Sequence, residues 1–187
     1  MKKIIIVSLL IIALLVIAGG VFWYWQSQKD VRELNKTLPK GVFAAKSLWG
    51  NEYKVVNKID GYEFKVPEAW EGIKEIEYKD EETILNTRTT GIAIEGLMGS
   101  STVLSLDIYF LSQSEDLLKY SQEIWNFFEL EGNLEKIKVG NVEVVKAYEE
   151  VHLWGTYVYF WREGNKLYVA NNGSEEFIKE IILNGKW

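Results

Sequence analysis

The longest apolar run opens the chain. Ile4 to Trp25 reads IIIVSLLIIALLVIAGGVFWYW, with Ser8 its one conspicuously polar side chain. As a helix, this run spans about 33 Å, enough to cross a hydrocarbon core of about 30 Å. A helix also satisfies its own backbone hydrogen bonds, as lipid requires. Phe22-Trp23-Tyr24-Trp25 ends the run with rings suited to the headgroup level, and Lys2 and Lys3 favour keeping the short end inside. The pattern predicts residues 1–25 as a single-pass plasma-membrane anchor, with a cytoplasmic N-terminus and the rest of the chain outside the cytoplasm. A cleaved signal peptide is the alternative, with Ala18-Gly19-Gly20 as the cleavage region. Cleavage there would leave Val-Phe-Trp-Tyr-Trp as the new terminus, and the apolar run does not stop at that point. Both facts favour retention.

Residues 26–51 are polar and weakly patterned. A short helix within Val31–Leu38, stopped by Pro39 and Gly41, predicts a stalk, with Val42, Phe43 and Leu48 docking on the domain beyond it. From Tyr53 the period becomes two, which begins a domain over residues 52–187. Tyr62, Phe64 and Val66 alternate with Glu63 and Lys65, after a turn at Asp60-Gly61 that succeeds a strand over Tyr53–Lys58. Ile73–Tyr78 and Arg88–Leu97 read as strands separated by a charged loop, Lys79–Glu82. Thr102–Phe110 places Leu104, Leu106, Ile108 and Phe110 on one face.

The period then turns helical. Ser112-Gln-Ser-Glu115 has the form of a capping box, Leu117, Leu118, Ile124, Trp125 and Phe128 form an apolar stripe, and Gly132 is the expected stop. Gly140-Asn141 predicts a hairpin between Leu134–Val139 and Val142–Glu149. Glu163-Gly164-Asn165 predicts another between Thr156–Arg162 and Lys166–Ala170. Asn172-Gly173-Ser174 turns into a last helix, Glu175–Leu183. Strands, helix, strands, helix is the order of an α+β fold, an antiparallel sheet with helices packed on it.

Composition narrows the function classes. Beyond Trp25 the chain carries 19 basic and 27 acidic residues, a net −8, which opposes binding to a phosphate backbone; no nucleic-acid partner is expected. With no Cys, disulfides, thiol nucleophiles and Cys-ligated metals are excluded. His152 is the only histidine and cannot build a His-rich metal site, and no nucleophile elbow accompanies it. Gly99-Ser100-Ser101 reads as a loop. Lys79-Asp80-Glu81-Glu82 and Glu149-Glu150 lack calcium-loop spacing and read as solvated turns. No catalytic, cofactor or metal residue emerges.

One strand stands out. In Trp154–Trp161, Tyr157, Tyr159 and Trp161 share one face, with Trp154, Val158 and Phe160 on the other; Tyr109 and Tyr168 are expected on the first face. A strand apolar on both faces is either covered by helices or partly exposed as a partner surface. The covered arrangement is favoured. An exposed Tyr157–Tyr159–Trp161–Tyr109–Tyr168 surface would take a protein or envelope partner. The readings left are a membrane-anchored binding or accessory module, an envelope-acting hydrolase, and an assembly subunit of a membrane complex.

Gly61-Tyr-Glu-Phe-Lys-Val-Pro-Glu-Ala-Trp70 resembles the opening motif of PsbP-like exported domains, the group related to the extrinsic photosystem II subunit. The later order is similar too: a Val-Gly-Asn-Val-Glu-Val hairpin, a Tyr-x-Tyr strand, a strand around Leu167-Tyr168-Val169 and a C-terminal helix through Ile181-Ile182-Leu183. The resemblance covers roughly residues 53–187. It implies an α/β/α sandwich around an antiparallel sheet, with Trp70 plugging the sheet end. No catalytic residue travels with it.

Overall fold

The computed structural model describes residues 2–47, 52–66, 73–96, 102–112, 116–149 and 156–187. Its first element, α1 (Lys2–Ser27), is continuous helix through Gly19 and Gly20. A single residue, Gln28, separates it from α2 (Lys29–Leu34). Then come β1 (Val42–Lys46), β2 (Tyr53–Asn57) and β3 (Tyr62–Val66), which form a three-stranded antiparallel sheet in that order.

Seven further strands form a second sheet: β4 (Ile73–Ile84), β5 (Thr87–Gly96), β6 (Thr102–Phe110), β7 (Leu134–Val139), β8 (Val142–Glu149), β9 (Thr156–Glu163) and β10 (Lys166–Asn171). Their order is β4-β5-β6-β10-β9-β8-β7, antiparallel throughout. Helix α3 (Leu117–Phe127) connects β6 to β7, and α4 (Glu175–Asn184) comes after β10. The fold is α+β, with two antiparallel sheets.

Two layers cover the large sheet. On one face lie α2, the small sheet and α4, enclosing Ile92, Ile94, Leu104, Leu106 and Ile108, all fully buried. Burying such a side chain contributes about 1.5–3 kcal/mol relative to leaving it in water. On the other face lies α3, whose Ile124 and Trp125 pack on Val145, Ala147, Phe160 and Leu167.

The local rules explain most element ends. Gly140 and Gly164 take φ of 62° and 60° at the first position of two-residue hairpin turns, where a side chain would be strained. Ser174 caps α4 by accepting from the Phe177 amide at 3.2 Å.

Four expectations change. The segment expected as a stalk supplies α2 and β1, because Val31, Leu34, Val42 and Ala44 find buried places against the domain. Lys79–Glu82 is no loop but part of β4, where the pairing with β5 shifts register. The turn falls instead at Leu85-Asn86, with φ of 50° and 58°. Charges are tolerated there because β4 is an edge strand, where they also discourage pairing with another chain. The cap of α3 is Asp116, which accepts from the Lys119 amide at 3.1 Å, rather than a Ser112–Glu115 box; Glu115 lies outside the described residues. The stop comes at Glu129, not Gly132. Glu129 takes φ 54°, and the Glu129 and Leu130 amides donate back to Asn126 and Trp125 in a Schellman closure.

The two sheets are stitched at Asp60. Its buried carboxylate accepts from Asn57 Nδ2 at 2.8 Å and Tyr78 Oη at 3.3 Å, and Arg88 lies 3.6 Å away. Its carbonyl accepts from Lys166 Nζ at 2.5 Å. At the free edge of β3, Glu63 and Lys186 exchange backbone hydrogen bonds of 2.8 and 2.7 Å, holding the residues after α4 against the small sheet.

Candidate functional site

The aromatic strand is β9, and its inward face is closed. Tyr159 and Trp161 are 0% and 1% exposed, as is their cross-strand neighbour Tyr168 at 0%. Trp161 stacks on Tyr168 with centroids 5.3 Å apart, and Trp187 meets Trp161 edge-on at 4.9 Å. Tyr62 and Phe64 complete the cluster through Trp187 and Tyr168. Tyr109 does not join this face. It pairs with Leu167, one residue out of step with Tyr168, and packs with α3 at 2% exposure. Of the five candidate surface residues only Tyr157 is partly exposed, beside Tyr148, which is 44% exposed with its ring 4.9 Å away. Burial pushes the hydroxyls of Tyr159, Tyr168 and Tyr109 up from their ordinary ionisation range, which keeps them neutral.

Beside Tyr157 sits a charged cluster. Lys146 Nζ lies over the Tyr157 ring at 4.2 Å and pairs with Glu175 at 2.9 Å; Glu175 also pairs with Lys179. Hydrogen bonds from Lys179 and Lys146 hold the Glu175 carboxyl down at about 2.

A second polar group, not anticipated from sequence, lies on the α3 face of β4–β6, beyond the Thr87 and Tyr109 contacts of that helix. Lys79 Nζ donates to Ser105 Oγ at 2.6 Å and to Asp107 Oδ1 at 2.7 Å. The register explains the contact. Lys79 pairs with Gly91 and Gly91 with Asp107, so the ion pair reaches across β5 at a residue with no side chain. A Cβ on Gly91 would stand 2.6 Å from the Leu106 carbonyl and 2.7 Å from Asp107 Oδ1, so no other residue fits. Lys79, Asp107, Thr89, Tyr109 and Phe128 line a shallow cleft of about 480 Å³ here. The sequence held one signal for it: Asp107 is the lone charge in β6.

A larger groove of about 710 Å³ runs along the β7–β8 hairpin, where Lys136, Lys138 and Arg162 face Asp116, Glu143 and Glu163. Its mixed charge selects no ligand class. Among the described residues, no group of three or more acids or histidines is placed to hold a metal. His152, Trp154, Glu150, Trp70 and Gly99-Ser100-Ser101 lie outside the described residues, whereas Glu149 ends β8.

The chemistry open to the Lys79–Ser105–Asp107 group is limited. A Ser–Lys pair serves nucleophilic catalysis when a neutral lysine accepts the hydroxyl proton. Here the lysine donates to both oxygens, and its ion pair with Asp107 uses the ammonium form. Comparison with protein-family models, with curated proteins and with solved structures gives no match.

Proposed function

We propose that this chain is a membrane-anchored, non-catalytic binding or accessory module, with residues 52–187 outside the cytoplasm. The observation that carries the reading is α1. Its large apolar side chains from Leu10 to Trp25 are 52–69% exposed, and a helix apolar all round is at home only in a buried or lipid setting. Among the described residues, Leu10–Ser27 alone is long and apolar enough to cross a membrane, and by itself it is compatible with an anchor or a signal. Retention is supported by Arg32, which stacks 4.3 Å over Trp25 and donates to its carbonyl at 2.6 Å, tying the helix end to the domain. The short Lys2-Lys3 end supports a cytoplasmic N-terminus in the plasma membrane, since the basic residues after α1 belong to a long segment, which crosses largely regardless of charge.

The PsbP-like resemblance is part of the same proposal. It is supported by the Tyr62-x-Phe64-x-Val66 strand, the order of later elements, and helices on both faces of a large antiparallel sheet. The three-stranded sheet is an addition to a plain α/β/α sandwich.

Membrane pellets washed with carbonate should retain the full-length chain, and intact mass should include the residues of α1. Protease added outside spheroplasts should digest the domain. A mature terminus at Val21, or a domain protected until lysis, would overturn the reading.

An envelope-acting hydrolase stands second because Ser105 Oγ lies 2.6 Å from Lys79 Nζ. A serine-reactive fluorophosphonate probe should leave the protein unlabelled; labelling lost in Ser105→Ala would favour the enzyme.

A further inference from the structure

We propose that the outer face of the three-stranded sheet rests on the anionic lipid headgroups of the membrane that holds α1, so that the domain is docked on the bilayer as well as tethered to it. This rests on the anchor reading above. Charge is the first argument. Residues 26–66 carry eight basic and five acidic side chains, whereas residues 67–187 carry eleven and twenty-two. The positive segment is thus the one next to the membrane helix, and the acidic remainder is repelled by the surface that attracts it.

Geometry is the second argument. The small sheet turns Ala44, Val55 and Phe64 into the core, which by alternation leaves Lys54 and Lys65 on its outer side. Lys186 joins them through its bridge to Glu63. Glu63 serves two ammonium groups, Lys54 at 2.7 Å and Lys186 at 2.8 Å, and Lys65 pairs with Glu52 at 2.9 Å, so three lysines against two carboxylates leave the face a net positive charge. Lys58 extends the row from the β2–β3 turn, lying over the Phe43 ring at 5.4 Å, and Ile59 beside it is 45% exposed. Basic heads among apolar groups suit the headgroup boundary.

Reach is the third. Only Gln28 separates the two helices, and α2 adds about 9 Å before the chain enters the small sheet. The lysines are therefore held near a surface whose potential extends about 8 Å in physiological salt.

The chain has no Cys, so a single introduced thiol reports one position. Full-length Ile59→Cys and, on α3, Glu123→Cys carry a fluorophore in phosphatidylcholine vesicles with a headgroup-linked quencher, with or without about 30% phosphatidylglycerol. Quenching at position 59 should exceed that at 123 at least about threefold in anionic vesicles only. It should fall to the neutral-lipid level in about 1 M salt, where screening shortens to about 3 Å. Lys54→Gln/Lys65→Gln/Lys186→Gln should lower it likewise, while circular dichroism stays unchanged. Equal quenching at the two positions, or quenching indifferent to lipid charge, overturns the docking proposal and leaves the anchor standing. Failure of the protein to float with either vesicle overturns the anchor itself, and the docking with it.

Discussion

The two faces of the seven-stranded sheet are covered unequally. Over one lie α2, the small sheet and α4, and the core positions beneath them are Ile, Leu, Val, Ala, Trp and Tyr, from β4 across to β7. Over the other, among the described residues, lies α3, which packs on β6 to β10 and touches β4 and β5 only at their Ile84 and Thr87 ends. Where it stops, the same sheet carries Lys79, Gly91, Ala93, Ser105 and Asp107 on that side. The composition of a face depends on its cover: apolar where the cover keeps out water, and ion-paired where water reaches.

The sharpest way to break this contrast is Trp161→Ala. If the covered face is core throughout, the variant should lose about 3–5 kcal/mol, as should Trp125→Ala on the buried side of α3. Denaturant unfolding decides it, and a small loss for Trp161 would mean that its face is open in solution. Asp60→Ala tests the joint between the sheets. Removing an acceptor shared by Asn57 and Tyr78, whose charge also faces Arg88 at 3.6 Å, should cost about 2–3 kcal/mol, with the loss seen in the same cooperative unfolding. Ser174→Ala and Asp116→Ala should each cost about 1 kcal/mol, one cap on each face.

Acid titration separates the faces further. The Glu175 carboxyl is held at about 2 when folded, against an ordinary 4.5. A depressed folded value contributes stability above pH 4.5 that is lost as pH falls from there toward 2. Glu175→Gln should flatten the acid limb of stability in that window, by no more than about 1 kcal/mol since the pair is partly solvated. Lys79→Gln on the open face should have the smallest effect, within about 0.5 kcal/mol. A larger loss would show that the Lys79–Asp107 pair does more than fill an exposed surface.

Much of this was readable from the residues alone. The hairpins at Gly140-Asn141 and Gly164-Asn165 and the α4 cap at Ser174 come from short-range chemistry. So does the alternation of Leu104, Leu106 and Ile108. The unreadable part needed register. Alternation says which residues share a face of one strand, but which faces of two strands coincide depends on their pairing. Tyr168 therefore fell with Trp161, and Tyr109 did not. The Lys79–Asp107 pair needs three strands aligned at Gly91, which no single segment reveals. Strand β1 was hidden because VFAAK gains its order from β2 and the core beneath, and the charged end of β4 because its residues are typical of a loop.

The order of the large sheet also bears on how the chain assembles. Strands β4–β6 form one antiparallel meander and β7–β10 another, each built from neighbours in sequence. A single seam joins them, β6 against β10, where Lys166 meets Phe110 and Asn171 meets Ser105 across the stretch that holds α3 and three strands. Closing that loop costs chain entropy before the seam contributes any contact, so two locally formed halves should wait on one slow event. Substitutions at Leu106 or Ala170 should then retard refolding. Substitutions in the turn at Gly164 should mainly change the rate at which the native protein comes apart.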